Sequence, residues 1–225
     1  TAIFNYFNSN NSQTDFRQSF DQEKALRYGE NPHQSASFYG KLDDYFDQLH
    51  GKELSYNNLV DIDAAVNVIA EFSEPSFAIM KHTNTCGLAS GSNNNLAYDK
   101  ALACDPVSAF GGILATNQKI ELELAEKIHQ LFCEVVIAPE FSDDALEVLR
   151  GKKNRILLKQ KIFTKPAKQF KSLLNGVIAQ DYDGFMEDES AFKLATDKDI
   201  SADQAQNLVF AIKAVKHLKS NGIAL

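Results

Sequence analysis

Lys81-His82-Thr83-Asn84-Thr85-Cys86-Gly87 is the densest run of polar chemistry in the chain. It follows the apolar stretch 76–80, which reads as a buried strand after Pro75. Lys81 and His82 therefore stand at that strand's carboxyl end, where open α/β sheets bind ligands. A neutral imidazole there can accept a proton near pH 7, and an adjacent ammonium can hold a developing oxyanion. By spacing alone, the run also suits a strand-to-loop junction with two solvated basic residues. A second run, Leu26-Arg27-Tyr28-Gly29-Glu30-Asn31-Pro32-His33-Gln34, has the parts of an anion and base-edge binder. Arg can grip a phosphate with two hydrogen bonds, and Tyr can stack on a purine-like ring; a Pro-bearing turn with a solvated Arg is the plainer reading. In a third, Asp105-Pro106-Val107-Ser108-Ala109-Phe110-Gly111-Gly112, paired glycines before a strand permit close approach of backbone to a ligand, or simply form a tight turn. Its spacing fits neither a Walker loop nor a dinucleotide fingerprint.

Metal chemistry finds little support. A zinc deaminase carries His-x-Glu and later Pro-Cys-x-x-Cys, but Cys86 is followed by Gly87-Leu88-Ala89, and Cys104 and Cys133 do not supply the missing ligand spacing. No metal is expected. The three cysteines read as buried, reduced thiols of a cytoplasmic protein.

The elements that must position these residues follow from periodicity. Residues 22–34 read as an ordered loop, because Gly and Pro forbid a continuous helix, leading to a strand over 35–39. Ile62, Ala65, Val66, Ile69 and Phe72 fall on one helical face, as do Leu122, Ala125, Ile128 and Phe132. Residues 96–104 read as a helix capped by Asn95 and stopped by Asp105-Pro106. Strands are expected over 76–80, 112–116, 135–138 and 155–158. Ser142 should cap a helix carrying Ala145, Leu146 and Leu149. Ser201 and Gln204 form a capping box before a long helix with Leu208, Ile212, Val215 and Leu218 inward, ended by Asn221-Gly222. Alternation of this kind predicts an α/β layered domain. Residues 8–13 read as a polar linker, and Ile223-Ala224-Leu225 as the start of a strand cut short.

At 225 residues and 44% hydrophobic content, the composition is that of a globular protein with a substantial core. No apolar run approaches the ~18 residues needed to span a bilayer, and no basic, apolar leader is visible. A net charge of −7 argues against nucleic acid or a membrane surface as partner. A few convergent basic residues can still make a pocket for a small anion.

Taken in order, residues 26–34, 52–59, 81–87, 105–112, 135–139 and 216–221 resemble the AICAR transformylase domain of the bifunctional purine-biosynthesis enzymes. The resemblance spans essentially the whole chain. It implies a cytidine-deaminase-like three-layer α/β/α unit without zinc, assembled as a homodimer. Residues 1–14 would be the tail of a preceding IMP cyclohydrolase domain plus linker, and 15–225 the first part of the transformylase. The co-substrate would be 10-formyltetrahydrofolate, held by residues beyond this chain. The same resemblance implies that His82 is the general base acting on the 5-amino group of AICAR, and that Lys81 stabilises the oxyanion. It also implies that Arg27, Tyr28, Gly111, Glu134 and Asn221 contact the nucleotide. Thr85 departs from the Pro usual in bacterial members, and Glu134 from the Asp of some. A binding module of the same fold without catalysis is the alternative; the presence of both Lys81 and His82 speaks against it.

Overall fold

The computed structural model describes Tyr6, residues 16–161 and residues 164–224. The expected tail and linker over residues 1–14, apart from Tyr6, and Leu225 lie outside the described residues.

The centre is a run of short strands whose side chains alternate between two buried faces. In chain order the strands are β1 (Glu23–Leu26), β2 (Ala36–Tyr39), β3 (Phe46–His50), β4 (Ser76–Lys81), β5 (Asn84–Ser90), β6 (Ile113–Thr116), β7 (Val135–Ala138), β8 (Ile156–Gln160), β9 (Lys168–Leu173) and β10 (Gly176–Asp181). The helices are α1 (Tyr56–Ile69), α2 (Asn94–Cys104), α3 (Leu122–Gln130), α4 (Asp143–Arg150) and α5 (Ala202–Lys216). Six strands form one mixed sheet in the order β3-β8-β7-β6-β4-β5. In it β6, β7 and β8 run parallel, β4 is antiparallel to both β5 and β6, and β3 is antiparallel to β8.

Phe77, Ile79, Leu114, Val136 and Leu157 face one side, where they meet Tyr98 of α2, Leu124 and Ile128 of α3 and Leu149 of α4. Ala78, Met80, Ile113, Val135, Ile137 and Ile156 face the other, against Ile62, Ala65, Val66 and Ile69 of α1, with Phe210 of α5 at the margin. Because both faces are covered, the central strands read as continuous apolar runs rather than alternating ones. Edge strand β5 packs closely on α2 at Gly87, where a Cβ would fall 2.1 Å from the Ala101 carbonyl oxygen. The expected α/β layering is thus present, with helices on both faces of the sheet.

Several boundaries differ from expectation. Residues 23–26, expected in a loop, pair with β2 as a hairpin, since a hairpin satisfies backbone groups that a loop would leave to water. Asn93, not Asn95, caps α2 by accepting from the Leu96 N–H. Phe132 lies beyond α3 and is 53% exposed, stacked on Phe110 instead of the core. In α5 Leu208 is exposed and only Ala205 is buried; the helix ends at Lys216, five residues before Asn221. Ile223 and Ala224 form no strand. Of the three thiols only Cys133 is buried, while Cys104 is exposed. Strands β3, β5, β9 and β10 were not expected at all. No helix among the described residues is long and apolar enough to cross a membrane.

Candidate functional site

A cavity of about 630 Å³ opens at one end of the sheet, within the size range of small-molecule sites. Parts of the chain that are far apart in sequence supply its walls. Arg27 and Tyr28 come from the connection after β1, Asn58 and Asp61 from the first turns of α1, and Lys81 and His82 from the end of β4. Gly111 comes from the loop before β6, and Glu134 from the residue before β7. This end carries the carboxyl terminus of β4 but the amino termini of the parallel strands β6 and β7. Lys81 and His82 are thus correctly placed at a strand's carboxyl end, although β4 is the antiparallel member.

Local structure holds each group in place. The β1–β2 connection is closed by the Gly29 N–H donating to the Gln34 carbonyl at 2.7 Å, and Asn57 Nδ2 donates to the Glu30 carbonyl at 3.3 Å, tying it to α1. The Arg27 guanidinium lies 5.6 Å from the Tyr28 ring centroid and makes no ion pair among the described residues, which leaves its donors available to an anion. Gly111 takes φ +76°, a conformation that favours glycine, and its N–H donates to the Phe132 carbonyl at 2.7 Å. Lys81 Nζ donates to the Phe110 carbonyl at 2.7 Å, which fixes the ammonium at the cavity that His82 also lines and leaves two further N–H donors.

Three residues of this site have no local signature in the sequence. Glu134 Oε2 accepts from Lys52 Nζ at 3.1 Å and from Asn58 Nδ2 at 3.1 Å. Asn58 does this while completing the capping box of α1 with Ser55. Burial alone would raise the Glu134 carboxyl, but the hydrogen bonds from Asn58 and Lys52 and the ammonium charge outweigh it, so the net shift is downward. Glu134 is therefore an acceptor suited to hydroxyl groups of a ligand. Asp61 is the third: its carboxylate accepts from the backbone N–H groups of His82 and Thr83. The pairs are separated by up to 82 positions, so no spacing rule finds them. The hints were that Lys52 and Asn58 fall within one of the runs of the family resemblance and that the resemblance itself named Glu134.

The site thus unites Arg27, Tyr28, Lys81, His82, Gly111 and Glu134. Asn221 stands apart: it is exposed, in the irregular segment after α5, and is not among the cavity residues. The reason is that α5 stops at Lys216, where Lys216 Nζ is held 3.1 Å from Glu71. Among the described residues no cluster of three or more His, Cys, Asp or Glu is placed to hold a metal ion. A guanidinium, an aromatic ring, a carboxylate, an ammonium and an imidazole line one cavity, groups whose chemistry suits an anion, a flat ring, hydroxyl donors and a proton to be moved.

Residues 1–225 match the sequence profile of the AICARFT/IMPCHase bienzyme family. The bifunctional purine biosynthesis protein PurH of Bacteroides thetaiotaomicron is 52% identical over 225 residues, covering 100% of this chain and 44% of that protein. PurH of Bacillus cereus strain B4264 and of Bacillus mycoides are each 46% identical over 215 residues, covering 92% of this chain and 42% of theirs. The chain spans less than half the length of these relatives.

Proposed function

Because the chain belongs to the AICARFT/IMPCHase bienzyme family, we propose that it forms the first part of a transformylase site. That site moves a formyl group from 10-formyltetrahydrofolate to AICAR in purine biosynthesis. The observation that carries this reading is the convergence of Arg27, Tyr28, Lys81, His82, Gly111 and Glu134 on one cavity. Arg27 takes the phosphate and Tyr28 packs on the nucleotide. The Gly111 backbone approaches it closely, and Glu134 accepts from the ribose hydroxyls. The AICAR amine attacks the formyl carbon, the carbonyl electron pair moves onto oxygen beside Lys81, and His82 takes the proton that the nitrogen sheds. When the pair returns, the bond from carbon to folate N10 breaks and N10 receives the proton, releasing tetrahydrofolate.

The amine is a weak nucleophile, its lone pair drawn into the imidazole and carboxamide. Positioning of the formyl carbon about 3–3.5 Å from it is therefore indispensable, worth roughly 7–11 kcal/mol. The folate-orienting residues, and a cyclohydrolase domain acting on the product, belong to the remaining length of the relatives in this reading, so this chain by itself is not expected to catalyse transfer. The same reading takes the six-stranded unit over residues 15–225 as cytidine-deaminase-like without zinc, paired as a homodimer in the cytoplasm. Asn221 joins the site only if the segment after α5 turns toward the cavity on nucleotide binding. Calorimetric titration with AICAR tests the assignment. Arg27→Ala should weaken binding by about 1.5–3 kcal/mol through loss of a charge-assisted contact, and unchanged affinity would remove Arg27 from the phosphate site.

A further inference from the structure

The turn that carries His82 is strained, and a residue outside it holds the strain. Lys81 pairs with Asn84, so β4 and β5 are joined by two residues only, His82 and Thr83. Their φ angles are +52° and +60°. A two-residue hairpin with both φ positive twists correctly for its strands, but it is normally filled by Asn-Gly. The left-handed conformation brings the Cβ of an ordinary L-residue too close to the following carbonyl oxygen, and a β-branched residue such as Thr83 is a clear outlier there. Such a geometry persists only where its surroundings over-determine it.

Asp61 supplies that constraint. Its Oδ2 accepts from the His82 N–H at 3.3 Å and its Oδ1 from the Thr83 N–H at 2.7 Å. The His82 carbonyl in turn accepts from Thr83 Oγ1 at 2.7 Å and Asn84 Nδ2 at 3.0 Å, so the backbone groups of His82 are all engaged. Asp61 sits in the second turn of α1, a helix whose Ile62, Ala65, Val66 and Ile69 are locked in the core. One turn earlier on the same helix, Asn58 holds Glu134. A single rigid helix therefore sets the spacing between His82 and the carboxylate across the cavity, which is the kind of support a catalytic group needs.

We propose that Asp61 is a positioning residue for His82. Its carboxylate clamps the β4–β5 turn by both N–H groups and thereby holds the imidazole at the cavity. This rests on the transformylase reading above for His82's chemical role, but not for the clamp itself.

The test uses the full-length enzyme carrying this chain. Asp61→Ala should lower kcat on the order of 10-fold, the scale of a small misplacement of a reacting group, with KM for AICAR little changed. Adding Thr83→Gly, which accepts a positive φ without strain, should recover most of the lost kcat. Asp61→Asn, which keeps the volume and one acceptor oxygen, should fall between and guards against loss of folding. Hydrogen exchange of the peptide spanning the β4–β5 turn reads the clamp independently of catalysis and should accelerate in Asp61→Ala. A rise in KM with kcat intact, or a failure of glycine to restore kcat, would make Asp61 a substrate contact and overturn the proposal. Unaccelerated exchange would overturn it as well. If the wild-type enzyme shows no formyl transfer but the exchange result holds, the functional reading fails and the clamp stands.

Discussion

Residues 46–160 and residues 164–224 are built on different principles. In the first region apolar side chains fill both faces of the sheet, and β4, β6, β7 and most of β8 are almost wholly buried. In the second, the β9–β10 hairpin is exposed along its whole length and α5 buries one residue, Ala205. Polar contacts hold the second region to the first. Glu71 receives Lys165 at 3.2 Å and Lys216 at 3.1 Å, and Tyr182 Oη donates to Asn67 at 2.6 Å. Phe210 stacks on Phe72 with ring centroids 5.3 Å apart. All the cavity residues lie outside the second region. The difference teaches that the site depends on the packed sheet for its geometry, while the C-terminal segment is docked by ion pairs on Glu71, a Tyr182–Asn67 hydrogen bond and one aromatic contact.

The largest effect expected from this contrast is on the packed sheet. Leu114→Ala, at a fully buried position, should destabilise by about 2–5 kcal/mol, read as a fall in the urea midpoint. Glu71→Gln comes next. It removes the charge shared by Lys165 and Lys216, and hydrogen bonds to charged groups contribute ~1.5–3 kcal/mol. Limited proteolysis should then cut within residues 164–224 while the sheet resists; equal resistance in both regions would break the comparison.

Acid should do the same more gently. Burial pushes the His217 imidazole below its usual pKa, more strongly than nearby Glu71 pulls it up, and Nε2 lies 3.4 Å from Glu71 Oε1 without a hydrogen bond. For Glu71 burial is the largest influence and acts upward, but Lys216 and Lys165 together carry the net shift downward. A group whose folded pKa is depressed gives stability above its unfolded pKa and loses it as pH falls through the folded value. The docking of α5 should therefore weaken below the ordinary histidine value of 6.5, and further below the ordinary Glu value of 4.5. Protection factors in α5, which allow for the slower intrinsic exchange in acid, should fall from about pH 7.5 to about pH 5 while those of β6 and β7 hold. Constant protection of α5 would show that charge does not dock it. Smallest of all, Ile178→Ala on the exposed β10 should change stability by less than about 0.5 kcal/mol.

The same division explains what could be read from sequence. Strands β4, β6, β7 and β8 announced themselves as apolar runs because both of their faces are buried. Ser142 and the Ser201–Gln204 capping box were legible because caps are local chemistry. Strand β5, with the sequence Asn84-Thr85-Cys86-Gly87-Leu88-Ala89-Ser90, was not, because its His82-Thr83 turn lacks the usual Asn-Gly signal. The β9–β10 hairpin was missed although Asn175-Gly176 stands at its turn, because both strands are exposed along their length and show no buried face as a pattern. In the site, Arg27, Tyr28, Lys81, His82 and Gly111 came from runs resembling a known family and Glu134 from the position just before one, and the fold brings all six to one cavity. Asp61 stayed silent because an acid on an apolar helix looks like a solvated face until the turn it clamps is placed beside it.

Turnover of the full-length enzyme with His82 replaced bears most directly on the assignment of this cavity. With AICAR and 10-formyltetrahydrofolate supplied, His82→Ala should reduce tetrahydrofolate release at least ~100-fold, the usual share of general acid–base catalysis, and by more than any change in AICAR affinity. Release at the wild-type rate would remove His82 from the base role and with it the chemistry assigned to the cavity.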